Sequence, residues 1–205
     1  QGNFFSLGLA NLDALFDILP WLILLVAAAL GMNSLASERK EGTFEYLLTQ
    51  PIQIGELLLG KYLALLSQIA ICILATLPLA VGVSTLGKMD AGVVFAQYLA
   101  ASMVAAILSA VALCISSLVK NQIAAFLGSM LLSFALLFVG TELFTRNVPL
   151  LIASNMESLS LLSHYMSMAR GAIDLRDLLY GFVLVGLFLL LTRLAILNYK
   201  YPMQS

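Results

Sequence analysis

The run Gly55-Glu56-Leu57-Leu58-Leu59-Gly60-Lys61 comes close to a phosphate-cradling loop. Such a loop needs a Ser or Thr after the lysine to coordinate magnesium, on a strand–loop–helix backbone that turns N–H groups towards phosphate. Here Tyr62 follows the lysine, and the interior is a helix-forming Glu-Leu-Leu-Leu. The run reads as the entry to a helix and not as a nucleotide site. Other chemistry is equally sparse. His164 is the single histidine, which excludes a multi-histidine metal site within one chain and makes an interfacial position its simplest reading. No Gly-x-Ser-x-Gly motif and no paired-carboxylate arrangement occurs, so an intramembrane enzyme lacks its catalytic groups. Cys72 and Cys114 fall in apolar stretches and read as packing residues rather than a disulfide.

The elements that carry these residues are set by composition. Apolar residues make up 61% of the 205 and charged residues only 10%, more apolar surface than a water-soluble domain can hide. The bilayer is the expected solvent and membrane lipid the first partner. A net charge of −1 without a basic run gives no nucleic-acid partner. Apolar windows near the roughly 20 residues of a spanning helix cover 18–37, 62–87, 91–119, 121–141 and 178–199. The fold class is an all-α polytopic membrane protein, a single transmembrane domain over 1–205. The first four windows contain no Asp, Glu, Lys, Arg or His, which argues against an ion-coupled carrier, although backbone-lined sites escape that test.

An odd number of spans places the ends of the chain on opposite sides. With the Ser37–Lys61 loop cytoplasmic, Arg39, Lys40, Lys61, Lys120, Arg193 and Lys200 lie inside, and Lys88, Arg146, Arg170 and Arg176 outside. The C-terminus is then cytoplasmic, and the outside position of 1–17 calls for a further helix upstream. Gly87–Ala91 and Lys120–Asn121 read as tight turns. Ala101, Ala105 and Ser109, with Ala106 and Ala110 beside them, then Ala124, Ala125 and Gly128, allow close helix approach, either inside the chain or at a dimer seam. Pro78 is expected to kink its helix.

Two longer segments remain, and long connections in compact membrane proteins usually have roles. In the first, Glu38, Glu41 and Glu45 recur at helical spacing opposite Phe44, Leu47 and Leu48, which predicts one amphipathic interfacial helix over 38–50 ended by Pro51. It is either an anchor or a docking surface for a soluble partner. In the second, 145–177, Ser160, Ser163, His164 and Ser167 line one helix face and Leu159, Leu162, Tyr165, Met166 and Ala169 another. Arg170 and Asp174 are four apart and spaced to pair.

The stretch Glu38-Arg39-Lys40-Glu41-Gly42-Thr43-Phe44-Glu45-Tyr46-Leu47-Leu48-Thr49-Gln50-Pro51, followed by Glu56 and Gly60-Lys61, resembles the first cytoplasmic loop of ABC-2 type transporter permeases. The stretch His164-Tyr165-x-Ser167-x-x-Arg170-Gly171-x-Ile173-Asp174-x-Arg176-Asp177 is similar to the last external segment of the family's gliding-motility-associated branch. The resemblance implies a type V exporter-like transmembrane domain whose first family helix precedes this chain. It implies a non-enzymatic permease subunit in a bacterial plasma (inner) membrane, without a cofactor of its own, working with ABC ATPase subunits that bind ATP and magnesium. A second permease half, in a homo- or heterodimer, is implied as well. By the same resemblance 38–50 is the coupling helix. Gly42 and Thr43 would turn and cap the backbone, Phe44, Leu47 and Leu48 would seat it, and Glu38, Arg39, Glu41 and Glu45 would supply polar contacts to the ATPase. His164, Arg170, Gly171 and Asp174 mark the external segment. Export of a substrate is the expected function, and transmission of force to an extracytoplasmic auxiliary protein is the alternative.

Overall fold

The computed structural model describes residues 12–86, 90–139, 159–172 and 174–200. Every regular element among them is helical: α1 (Asp13–Gly31), α2 (Ala36–Glu41), α3 (Thr43–Thr49), α4 (Ile54–Leu74), α5 (Leu77–Leu86), α6 (Ala91–Leu118), α7 (Gln122–Phe138), α8 (Leu161–Ala169) and α9 (Leu175–Lys200). Four helical stretches are long and apolar enough to cross a bilayer: Asp13–Glu41, Ile54–Val83, Ala91–Leu118 and Leu175–Tyr199. In place of the span expected at 121–141 stands α7, apolar but 17 residues long. At 1.5 Å per residue it covers about 25 Å, against a hydrocarbon core of about 30 Å. Residues 140–158, with the first half of the expected external segment, lie outside the described residues, as does the expected turn at 87–89. Charge-free windows also misplace helix starts. Helix α1 begins at Asp13 and α9 at Leu175, because acids such as Asp13 and Asp177 are favoured in a first turn.

Helix α6 is the centre of the molecule, packed by α1, α4, α7, α8 and α9. Of its apolar window 78% is buried, against 22% for the windows around α4 and α9, so the latter two form the periphery. Small side chains make this possible. Ala101, Ala105, Ser109 and Ala110 are buried within the chain, which settles their role as internal packing. Gly31 of α1 meets Ala112 of α6 so closely that a Cβ on the glycine would overlap the alanine methyl. The outward faces of α4 and α9 present Leu63, Ile71, Leu74, Phe182, Val183 and Leu190, a surface suited to lipid or to a partner helix. Cys72 and Cys114 are both free thiols.

Prolines and helix breaks release backbone groups, and side chains from other helices take them up. Pro20 inside α1 has no N–H for the carbonyl of Phe16 four residues earlier. The Tyr165 hydroxyl of α8 donates to that oxygen at 2.6 Å. Where α1 gives way to α2, the N–H groups of Leu35 and Ala36 both donate to Ser116 Oγ of α6, at 3.0 and 2.9 Å. The kink expected from Pro78 appears as a full break: α4 ends at Leu74, whose carbonyl Pro78 cannot serve, and α5 starts at Leu77. Thr76 in the gap bonds Ile73 O at 2.7 Å and shares a hydrogen bond with the Tyr98 hydroxyl at 2.9 Å.

This packing sets the expected cost of three substitutions. Tyr165→Phe strands the buried Phe16 carbonyl and costs about 1–3 kcal/mol. In a Pro20→Ala background the alanine N–H reaches the same oxygen, so the Tyr165→Phe loss shrinks in a double-mutant cycle of thermal or denaturant unfolding. An equal loss in both backgrounds refutes the pairing. Gly31→Ala forces α1 away from α6 and destabilises by about 1–3 kcal/mol. Gly60→Ala, with nothing within 4 Å of the added methyl, stabilises α4 by about 0.5–1 kcal/mol.

Candidate functional site

At the end of the bundle that carries the 32–53 connection, the expected single helix over 38–50 is instead two helices with an elbow. Gly42 adopts φ 74°, ψ 2°, in the left-handed region that a Cβ disfavours, and the chain changes direction there between α2 and α3. Thr43 Oγ1 donates to Glu38 O at 3.3 Å and covers a carbonyl left open by the end of α2. Gln50, restrained by the following Pro51, is extended at φ −66°, ψ 148° and ends α3. Gly55 to Lys61 lies within α4, whose start is a capping box between Gln53 and Glu56.

The elbow turns one face inwards. Phe44 is buried, its ring edge-on to Tyr199 near the end of α9, with centroids 5.4 Å apart. The Arg39 guanidinium lies 5.0 Å from the Phe44 centroid and 4.7 Å from that of Tyr199, a cation held on two π faces. Glu38 Oε1 pairs with Lys61 Nζ at 2.6 Å, and the same ammonium donates to Ser34 O at 3.1 Å, which ties α2 to α4. The Tyr199 hydroxyl donates to Glu45 Oε1 at 3.2 Å. These contacts correct the expected face of Glu38, Glu41 and Glu45. The elbow separates Glu38 from the other two and commits it to α4, and Arg39 is committed to aromatic rings rather than to the open surface. The outward face carries Lys40, Glu41, Thr43, Glu45 and Tyr46, the last 70% exposed. Leu47 is half-buried, and the side chain of Leu48 lies outside the described residues.

The other end is built from the first turns of α1, α6 and α9 and from α8. Ser160 caps α8 by accepting from Ser163 N at 3.3 Å, and Gly171, at φ 90°, turns the chain towards α9. The buried stripe of α8 is Leu161, Tyr165 and Met168, whereas Leu159 and Met166, expected on the apolar face, are exposed. His164 is not a free interfacial side chain. Its Nδ1 lies 2.6 Å from Asp177 Oδ1, and its ring stacks on Tyr180 at 4.1 Å. Tyr180 in turn donates to Leu159 O at 2.6 Å. Arg170 and Asp174 are exposed and make no ion pair with each other. Asp174 instead accepts from Arg176 N at 3.2 Å in the turn that starts α9. Burial, reinforced by the Asp17 carboxylate, pushes the Tyr165 phenol well above its usual pKa, so the hydroxyl stays a donor to Phe16. A cavity of about 520 Å³ opens here between α1, α6 and α8. Gln97 in its wall is 3% exposed and donates through Nε2 to Asp13 Oδ1 at 2.9 Å.

Among the described residues no three His, Cys, Asp or Glu side chains converge as a metal site. The polar groups at both ends mainly fasten one helix to another, and the elbow's outer face is one polar surface they leave open. Sequence reasoning missed Tyr199, Tyr180 and Gln97 as members of these clusters, since each meets partners far away in the chain. It also passed over Pro20, whose position inside an apolar run signals a carbonyl in need of a donor.

A family model described as ABC-2 family transporter protein matches residues 2–198. No curated protein shows significant similarity to the chain. Members of that family are membrane subunits that work with an ABC ATPase, and apolar helices in a multi-pass arrangement fit that role. With the match covering nearly the whole sequence, the chain belongs to the ABC-2 transporter family, whose members are the permease subunits of ABC transporters.

Proposed function

We propose that this chain is the membrane half of an ATP-driven exporter of a bacterial plasma membrane and receives the stroke of its ATPase on the α2–Gly42–α3 elbow. In this reading the elbow and the C-terminus are cytoplasmic, five helices including α7 span the bilayer, and the chain pairs with a second permease half. ATP and magnesium belong to the ATPase subunits, and this chain needs no cofactor. The single observation that carries the reading is the two-sidedness of the elbow. Its outer face offers Glu41, Glu45 and the exposed aromatic ring of Tyr46 to a partner with basic residues. Its inner face is fastened to α9 through Arg39, Phe44 and Tyr199, and to α4 through Glu38 and Lys61. A push on the elbow therefore reaches the two spans that are least buried in the bundle.

A second reading keeps the same input and changes the output: the chain transmits force to an extracytoplasmic partner without carrying a substrate. The likeness to the gliding-motility branch and the tight packing around α6 support it. The lock of His164 on Asp177 would then deliver motion of α9 to α8.

Purification of the intact complex from native membranes tests the shared input. An ABC ATPase is expected to accompany the chain, and its absence overturns both readings. Glu41→Lys combined with Glu45→Lys is expected to weaken ATPase association about tenfold or more, since like charges facing each other across an interface cost several kcal/mol. Tyr199→Phe controls for the lost hydrogen bond to Glu45 and should leave association unchanged. Gly42→Ala strains the elbow by about 1–2 kcal/mol and should lower ATPase stimulation while the spans stay folded.

A further inference from the structure

Helix α6 is covered along nearly all of its length. Between Ala96 and Ser117 one residue alone, Ser102, is exposed, and Ala106, a turn further on, is half-buried. Both form the floor of a cleft of about 350 Å³ whose side walls are α4 and α9. Gly181 of α9 helps to keep it open. A Cβ there would lie 2.8 Å from Met103 Cγ of α6, so the glycine lets Met103 rest against α9, and the Ser102–Ala106 strip beside it stays uncovered. The wall makes no polar demand. Its two hydroxyls are already committed, Tyr62 donating to Ala106 O at 3.2 Å and Ser102 to Leu99 O at 2.7 Å. Among the described residues no charged side chain lines it. A neutral wall with every hydrogen bond made is complementary to a chain of methylenes. The mouth runs into the outward apolar face of α9 through Phe182, which lines the cleft and is 75% exposed.

The cleft also has the depth of one leaflet. Along α9 it reaches from Leu178 to Val185. Val185 lies ten residues past the helix start at Leu175. That is about 15 Å at 1.5 Å per residue, half of a hydrocarbon core of about 30 Å. A helix is about 10 Å across and does not fit between the walls, because α4 and α9 touch each other as well as α6. Left empty, the cleft would cost its wall the dispersion contacts of a filled one, and the medium at that depth is hydrocarbon rather than water.

We propose that this cleft is a binding site for a single acyl chain of a phospholipid, taken from the leaflet at the end opposite the elbow. The chain lies along Ser102 and Ala106 with α4 and α9 on either side, and its headgroup stays at the surface beside the start of α9. The site stands on the geometry of the three helices, whatever substrate the permease carries. It makes a lipid part of the joint between α4 and α9, the two spans that the elbow grips through Lys61 and Tyr199.

The test uses the intact chain without any ATPase, so its failure leaves the reading of the elbow standing. The chain is reconstituted in nanodiscs of phosphatidylcholine that carries a photoactivatable diazirine near the middle of one acyl chain. After irradiation the labelled residues are mapped by peptide mass spectrometry. Labelling is expected on Ser102 and Ala106 as well as on Ile71 and Leu131, which are openly exposed. Ala106→Phe and Ser102→Leu each fill the floor, and each is expected to lose most of the labelling there while Ile71 and Leu131 keep theirs. Ser102→Ala keeps the space and should label as the unsubstituted chain does. Circular dichroism and thermal unfolding show whether each filling variant is folded, and the labelling of the unsubstituted chain decides by itself if neither is. Native mass spectrometry after detergent extraction separates a held lipid from a passing one: a retained phosphatidylcholine is expected on the unsubstituted chain and lost in Ala106→Phe. A floor that stays unlabelled while Ile71 and Leu131 react overturns the proposal, and so does labelling or retention that survives both filling variants. An unlabelled floor in a chain that sediments as a dimer assigns the cover to a second copy and overturns it equally.

Discussion

In a bilayer a backbone N–H or C=O released from its helix has no water to turn to, and this constraint decides how the helices of the protein are joined. At several places the chain interrupts a helix or deprives it of a donor, and another helix supplies the missing partner. Pro20 releases the carbonyl of Phe16, and Tyr165 takes it. The break after α1 releases two N–H groups, and Ser116 accepts both. The same break releases Ser34 O, and Lys61 donates to it. Each repair crosses between elements far apart in sequence. The bonds that satisfy the backbone are therefore also the bonds that fix α8 on α1, α2 on α6 and α4 on α2.

These cross-links are unevenly distributed. The centre, α6, is held by close approach of small side chains, contacts that weaken with any separation. The peripheral helices α4 and α9 have broad apolar faces turned outwards, pack one face on α6, and carry polar locks at their ends. Glu38–Lys61 and the Arg39 stack grip them beside the elbow, and His164–Asp177 grips α9 at the other end.

Much of this was legible in the sequence where the signal is local. Apolar windows located the helices of the bundle, and alanine spacing in 101–110 marked the close-packed face, because both depend on residues near one another in the chain. The family resemblance lay in contiguous residues and was equally readable. The elbow was misread as one helix because the period of Glu38, Glu41 and Glu45 runs straight across Gly42. Periodicity measures spacing and is blind to a residue that takes a left-handed conformation. The same regularity hid the fact that Glu38 and Arg39 face inwards. Their partners Lys61 and Tyr199 are chosen by tertiary packing, which no window reports. His164 was placed at the surface because its helix face is polar, whereas Asp177, thirteen residues on, folds back to cover it.

The near-motif at Gly55–Lys61 shows how one residue can imitate a function and serve another. In a phosphate loop the lysine reaches anionic oxygens of a nucleotide. Here Lys61 reaches the anionic oxygen of Glu38 and the carbonyl of Ser34, with its ammonium half-buried at the end of α4. Both arrangements follow from the same property, a flexible cation that is tolerated away from water only when oxygens surround it. What differs is where the oxygens come from. In this chain they belong to α2 and to the turn before it, so the lysine binds the loop on which the ATPase is expected to act. Under the proposed coupling, a nucleotide bound by the ATPase reaches Lys61 through the elbow that holds it.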